Sequence, residues 1–342
     1  MRRVLLPLAV LLACLAPAAA LAAPTVRLGA EPRTGVYAAG ALWVLADRGG
    51  DRVLMEVSPR ALRPTGRRVV IATRVPRDPR AQSPGTVRPS LAYADGVLLT
   101  IDPVTNVVVR VNPSTLAVAR AATSEGTTLA AGPAGVWVAG GPLVNNEHGF
   151  VHPMARIDPA TLAVGDRRYT PSGIGSRPSV EIAVTRRALW VARPAASRGG
   201  LAIDLGTGPV PGVLFGPWQM HARGDTLYGT ERYGCEAFVT PDTTYVGRRI
   251  VMEPDRDRCA RLYARDVTGG RAGSVWVAYS RGGVRTARLI QRPDDGRPGR
   301  RVTTIGADPV DLVSAPGAVW VLDRTGRTLT RIPARPFPAR AG

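Results

Sequence analysis

One short phrase recurs along the chain and constrains its fold more than any other feature: a turn residue followed by alternating small and large apolar residues. It reads Gly40-Ala41-Leu42-Trp43-Val44, Gly96-Val97-Leu98-Leu99-Thr100, Ala134-Gly135-Val136-Trp137-Val138, Arg187-Ala188-Leu189-Trp190-Val191, Asp225-Thr226-Leu227-Tyr228-Gly229, Gly273-Ser274-Val275-Trp276-Val277 and Gly317-Ala318-Val319-Trp320-Val321. Five of the six tryptophans fall on it, so the large residue is an anchor rather than a chance neighbour. Period-two alternation is the signature of a half-buried strand. One such unit cannot bury its apolar face alone, so the units must stack on one another.

Around each anchor the sequence spells four short strands separated by turn residues. In the last unit, residues 310–314, 318–323 and 328–332 supply only three strands before the chain ends. The missing outer strand is available near the start, where Thr25-Val26-Arg27-Leu28-Gly29 precedes the first unit without belonging to it. The expectation is an all-β chain: a seven-bladed β-propeller of four-stranded antiparallel blades, closed by residues 25–29 joining the last blade, which leaves the ring without an open end. It would occupy residues 24–336 as a single domain, with 337–342 as a disordered tail. A β-sandwich does not repeat one phrase seven times, and no segment carries the period of a long amphipathic helix.

A second phrase repeats between the third and fourth strands of a unit, as Val111-Asn112-Pro113-Ser114-Thr115-Leu116-Ala117-Val118 and Ile157-Asp158-Pro159-Ala160-Thr161-Leu162-Ala163-Val164. Proline fixes φ and the Asn or Asp side chain caps the turn, so the phrase encodes a tight reversal. Together the two phrases resemble the bacterial YVTN/NHL-type and streptogramin-B-lyase-like propellers over essentially the whole chain after its leader. The resemblance implies the fold; for function it implies only that such rings include lyases, lactonases and binding proteins.

The chain begins Met1-Arg2-Arg3, continues apolar over residues 4–15 and becomes alanine-rich up to Ala23. That is a signal peptide over residues 1–23, with small-x-small cleavage positions after Ala20 and Ala22. No second apolar stretch approaches the ~20 residues of a membrane-spanning helix. Leu11-Leu12-Ala13-Cys14 has the look of a lipobox, making lipid anchoring through Cys14 the lesser alternative; the residues after Cys14 stay apolar where a polar tether belongs, which favours plain secretion. Removal of the leader leaves Cys235 and Cys259, an even pair in an exported protein and therefore a predicted disulfide.

The formal net charge is +19 and every basic residue other than histidine is arginine. With abundant Ala, Gly and Pro, this matches the codon usage of a high-GC genome, so part of the excess is genomic. The field still favours anionic partners. For an exported protein these are envelope polymers; a protein or small ligand is the other candidate, nucleic acid is not expected, and the ring is expected to be a monomer. Adjacent arginines recur at the start of the fourth strand as Arg67-Arg68, Arg167-Arg168, Arg248-Arg249 and Arg300-Arg301. They predict a basic belt, either a polyanion-binding rim or charge that discourages edge-to-edge pairing.

The longest connections, residues 74–88, 140–153 and 253–258, share one face of such a ring and are candidates for binding. The first carries Arg74, Arg77 and Arg80; the second carries Glu147, His148 and His152, a set able to hold a divalent metal or to be polar loop surface. The third histidine, His221, lies on a predicted innermost strand. It and Glu231 are the two residues that the resemblance to streptogramin B lyases makes candidates for catalysis, although further histidine and acid positions of that family are missing. The reading is therefore an exported, non-catalytic binding or scaffold ring with no cofactor. Its alternative is a metal-dependent lyase or lactonase-type hydrolase working at a mouth of the central channel.

Overall fold

A computed structural model describes residues 23–75, 89–123, 126–140, 144–146, 149–170, 180–192, 200–210, 219–230, 235–259, 262–271, 273–281 and 286–338. They form seven four-stranded antiparallel sheets arranged as the blades of a ring. Blade 1 runs from the inside outward as β2 (Glu31–Ala38), β3 (Ala41–Arg48), β4 (Asp51–Ser58) and β5 (Arg63–Ala72). Blade 2 follows with β6 (Leu91–Ala94), β7 (Val97–Ile101), β8 (Val107–Val111) and β9 (Val118–Ala122), and blade 3 with β10 (Gly126–Gly132), β11 (Gly135–Gly140), β14 (Pro153–Ile157) and β15 (Val164–Tyr169). A small extra hairpin, β12 (Val144–Asn146) with β13 (Gly149–Val151), is inserted between β11 and β14.

Blade 4 contains β16 (Glu181–Val184), β17 (Ala188–Ala192), β18 (Gly200–Asp204) and β19 (Gly208–Pro209); blade 5 contains β20 (Gln219–Arg223), β21 (Thr226–Thr230), β22 (Glu236–Pro241) and β23 (Arg248–Val251). Blade 6 contains β24 (Leu262–Arg271), β25 (Ser274–Arg281), β26 (Ala287–Pro293) and β27 (Arg301–Ile305). The last blade is a hybrid of both chain ends: β28 (Pro309–Ala315), β29 (Ala318–Asp323) and β30 (Thr328–Pro333), completed by β1 (Thr25–Arg27). The seam registers Thr25 with Thr330, Val26 with Leu329 and Arg27 with Thr328. The only helix among the described residues is α1 (Arg256–Cys259).

The repeated anchor works as a wedge between blades. Trp43 lies in the cluster joining blades 1 and 2, Leu99 in that of blades 2 and 3, and Trp137 in that of blades 3 and 4. Trp190, Tyr228, Trp276 and Trp320 continue the series around to blade 1. Each anchor is at most 5 % exposed, so the apolar alternation of the sequence is spent on seven interfaces between sheets. Burying a residue of this size is a large single contribution to what holds one blade to the next.

The Asn/Asp turn has the physical form its sequence implies. The Asn112 side chain accepts from the backbone N–H of Ser114 and Thr115, Asp158 accepts from Ala160 and Thr161, and Leu116 and Leu162 sit at φ 62° and 63°. The same device recurs at Asp102, which accepts from Val104 and Thr105 with Asn106 at φ 55°, but there it joins a blade's second and third strands.

Beyond β30 the chain lies along blade 6. Arg301 donates to the carbonyls of Arg335 and Pro336 and stands over the Phe337 ring at 4.4 Å, while Arg297 donates to the Pro338 carbonyl.

Candidate functional site

The seven innermost strands surround a central cavity of about 300 Å³. Pairing register fixes which residues stand at each level. Opposite the anchors, the inner strands carry Val36, Ala92, Ala130, Ala183, His221, Thr268 and Val313. Two residues earlier every position is polar: Thr34, Thr128, Glu181, Gln219, Asp266 and Asp311 pair with the residue two beyond the anchor, and Ser90, one residue before β6, holds the same level in blade 2.

This polar girdle ties blades together. Ser90 Oγ accepts from the Leu129 N–H at 2.9 Å, Glu181 Oε1 from Met220 at 3.2 Å, Asp266 Oδ2 from Leu312 at 2.5 Å and Asp311 Oδ2 from Gly35 at 2.7 Å. In each case the donor is the residue following the girdle position of the next blade. Asp311 also accepts from the Thr34 hydroxyl at 2.8 Å. Bonds to an ionised acceptor are the strong members of such a set. A β-bulge precedes the girdle residue in blades 1, 3, 6 and 7. An extra residue at that point re-aims the side chains that follow it.

Among the described residues, the cavity lining includes Glu181, Asp266, Asp311, Tyr37, Tyr93 and His221 but no arginine. Burial pushes the His221 imidazole down to about 4; the Asp311 carboxylate opposes that effect and the Arg223 guanidinium adds to it. His221 is therefore neutral at ordinary pH. Its counterpart in the lyase resemblance, Glu231, lies outside the described residues.

Of the second histidine group, Glu147 and His148 also lie outside the described residues. His152 sits between β13 and β14, where its backbone N–H donates to Thr170 Oγ1 at 2.9 Å, and it is only 1 % exposed. It faces the protein interior rather than a polar loop surface. No group of three or more His, Cys, Asp or Glu side chains able to hold a metal ion occurs among the described residues.

Within the arginine pairs, one member typically reaches the neighbouring blade. Arg67 donates to the Pro113 and Ser114 carbonyls, Arg168 to that of Leu205 and Arg248 to that of Asp295, each on a turn of the following blade. Arg300 reaches back to the Met252 carbonyl and the buried Glu253 carboxylate at 2.6 Å. Arg68, Arg167 and Arg249 are exposed. Arg249 pairs with Glu236 at 3.1 Å. Arg74, also exposed, has φ 53°, and its backbone N–H donates to Asp51; Arg77 and Arg80 lie outside the described residues.

Cys235 and Cys259 are joined in a disulfide that ties the start of β22 to the short α1, on the face where connections between blades lie. The Cys235 carbonyl also accepts from the Met252 N–H at 2.6 Å, so the loop base is held by the backbone as well.

Fold and channel define a seven-bladed β-propeller whose central cavity is ringed by polar side chains. Among solved structures, the chain is similar to Kuenenia stuttgartiensis hydrazine synthase at 13 % identity and a TM-score of 0.57, covering 90 % of this chain and 97 % of that one. It is similar at 12 % identity and a TM-score of 0.59, with the same coverage, to the β-propeller domain of Myceliophteria thermophila Cps50 (Swd1), and at 7 % identity and 0.51 to Saccharomyces cerevisiae Sqt1, over 92 % of this chain and 100 % of that one. At such identities the likeness is one of fold. No protein-family model and no curated protein matches the chain.

Proposed function

We propose that this protein is an exported, non-catalytic binding ring that holds an anionic envelope polymer against its outer strands. The observation that carries the reading is the division of labour within the arginine pairs: one guanidinium locks a blade to its neighbour, while Arg68, Arg167 and Arg249 stand on the rigid outer surface so produced. Guanidinium donors suit phosphate and carboxylate acceptors through paired hydrogen bonds. Three of the cavity's acidic groups are engaged by backbone N–H groups of the next blade, an arrangement suited to holding a ring rigid.

The test is a titration of the leaderless protein with inorganic polyphosphate as the anionic probe, repeated from low to high salt. Binding should weaken steeply as salt screens the exposed charges. Combining Arg68→Ser, Arg167→Ser and Arg249→Ser should cost about tenfold in affinity or more, at up to about 1 kcal/mol per exposed contact, with no change in melting temperature. Undiminished binding by the triple variant would sink the proposal.

A further inference from the structure

The fourth arginine pair is built differently from the other three. Arg67, Arg168 and Arg248 reach forward to the following blade, whereas Arg300 reaches back to blade 5 and Arg301 holds the end of the chain. A further guanidinium stands beside this pair. Strand β26 pairs with β27 as far as Gln291 and Arg301, and the same register carried one residue on sets Arg292 opposite Arg300. Ile290 packs with Ile250 and Met252 of blade 5, and alternate residues of a strand share a face, so Arg292 is turned toward blade 5 as well. Arg300 enters the same crevice, where it donates to the Met252 carbonyl at 3.2 Å and to the Glu253 carboxylate at 2.6 Å.

Arg292 is half-buried, its Nε is closed to solvent and without a hydrogen-bond partner, and it forms no ion pair with any described residue. Burial, and after it the Arg300 charge, hold its pKa below the usual arginine value, with no carboxylate acting the other way. The acids of the adjoining turn are engaged elsewhere: Asp295 pairs with Arg297 at 2.9 Å, and Asp294 faces the Tyr228 hydroxyl at 3.5 Å. Glu253, buried, is matched by Arg300. One positive charge in the crevice is thus left over. A desolvated charge without a partner is costly, and like charges directly opposite on neighbouring strands repel. The chain carries both penalties at one place. Blade 5 meanwhile fixes Arg300 through its Nε and Nη2, leaving Nη1 for another acceptor.

We infer that the crevice between the outer parts of blades 5 and 6 is a binding site for a phosphate group, held between Arg292 and Arg300. A tetrahedral oxyanion has oxygens enough to accept a fork from Arg292 and a bond from Arg300 Nη1 together, whereas the two oxygens of a carboxylate are matched by a single fork. Its charge neutralises the surplus and separates the two like charges. The Glu253 carboxylate, by fixing Arg300, shapes the site before the ligand arrives. The inference rests on the reading of the ring as a receptor for anions and names the group it seats, but it uses none of Arg68, Arg167 and Arg249.

The experiment is a melting-temperature series and a calorimetric titration of the leaderless protein with sodium phosphate, against sodium chloride and sodium acetate at matched ionic strength. Phosphate should bind once per chain and raise the melting temperature above both controls, because a ligand of the folded state stabilises it. Arg292→Gln should weaken phosphate at least tenfold, yet melt no lower than wild type in chloride, since it removes an unpaired charge; a merely structural arginine would melt lower in every salt. Arg292→Lys, which keeps the charge without the planar fork, should fall between the two in affinity. The Arg292 Nε–H resonance, assigned by its loss in Arg292→Gln, should shift on phosphate addition. Polyphosphate separates the two sources of the group: binding at least tenfold tighter than phosphate, and lost in the Arg68, Arg167 and Arg249 triple variant, marks a polymer, and equal affinities mark free phosphate. Polyphosphate binding undiminished in the triple variant but lost in Arg292→Gln would remove the outer surface and keep this site. Equal phosphate affinity in wild type and Arg292→Gln, the same stabilisation by acetate, or a lower melting temperature for Arg292→Gln in chloride would overturn the inference.

Discussion

Removing the disulfide by a double Cys235→Ala, Cys259→Ala substitution should destabilise the protein locally before it does so globally. The bridge spans 24 residues of sequence, enclosing β22 and β23, the outer half of blade 5. For a loop of that length the chain-entropy treatment gives about 3.5 kcal/mol lost when the unfolded chain is freed. In the folded state little should move, because the Cys235 carbonyl still accepts from Met252 and Glu253, and Ala237, Ile250 and Met252 remain buried in the cluster with Tyr228. Alanine is preferred to serine because Cys235 is 4 % exposed and a hydroxyl there would need a partner. The assay is amide hydrogen exchange followed peptide by peptide, together with urea unfolding. Protection should fall by two or more orders of magnitude over residues 235–252, while blades 1 to 3 keep theirs until global unfolding, and the apparent unfolding free energy of the first transition should drop by roughly 3 kcal/mol. A loss below about 1 kcal/mol, or protection falling evenly around the ring, would refute the reasoning.

Two further outcomes follow from particular residues. His221 has its folded pKa depressed to about 4 from 6.5, so the unfolded chain takes up the extra proton in that window; its contribution to stability is complete above pH 6.5 and is lost as pH falls toward 4. The difference in unfolding free energy between wild type and His221→Gln should therefore change by up to about 3 kcal/mol from pH 7 to 4, and a constant difference would show the imidazole to be freely solvated. At Gly132 an added Cβ would fall 1.8 Å from the Val184 carbonyl oxygen. Gly132→Ala should accordingly force blades 3 and 4 apart and cost about 1–3 kcal/mol or more, seen as a lowered urea midpoint; an unchanged midpoint would mean that the two sheets are not held at that distance.

What the sequence made legible was whatever is written in residue type and period. Trp43, Trp137, Trp190, Trp276 and Trp320 repeat because a blade interface needs one large apolar wedge at one place, and residues 25–29 were readable as the closing strand because they alternate and belong to no unit; three of those five pair in β1. The turn at Asp102 escaped notice: it shares the Asn/Asp-Pro-x-Thr core of the other two but lacks Leu-Ala and falls between different strands. The girdle was hidden for another reason: Thr, Ser, Thr, Glu, Gln, Asp and Asp have no type in common, and four bulges add a residue ahead of them, so only the pairing register brings them to one level. Counting back from each tryptophan's partner strand would have found it. The arginine pairs were visible as charge, but that Arg67, Arg168 and Arg248 each end on a neighbour's carbonyl depends on how closely two blades approach, which a linear pattern does not encode.

The seam between β1 and β30 also has a mechanical meaning. Elsewhere successive blades are connected by the chain itself, whereas here the hoop is completed by three residue pairs and the burial of Val26 and Leu28. Tension applied at the N-terminal end falls on that short ladder before it reaches any covalent link between blades. The first event under load is thus the peeling of one strand, which uncovers the outer edge of β30 and turns a closed hoop into an open one with six blades still complete.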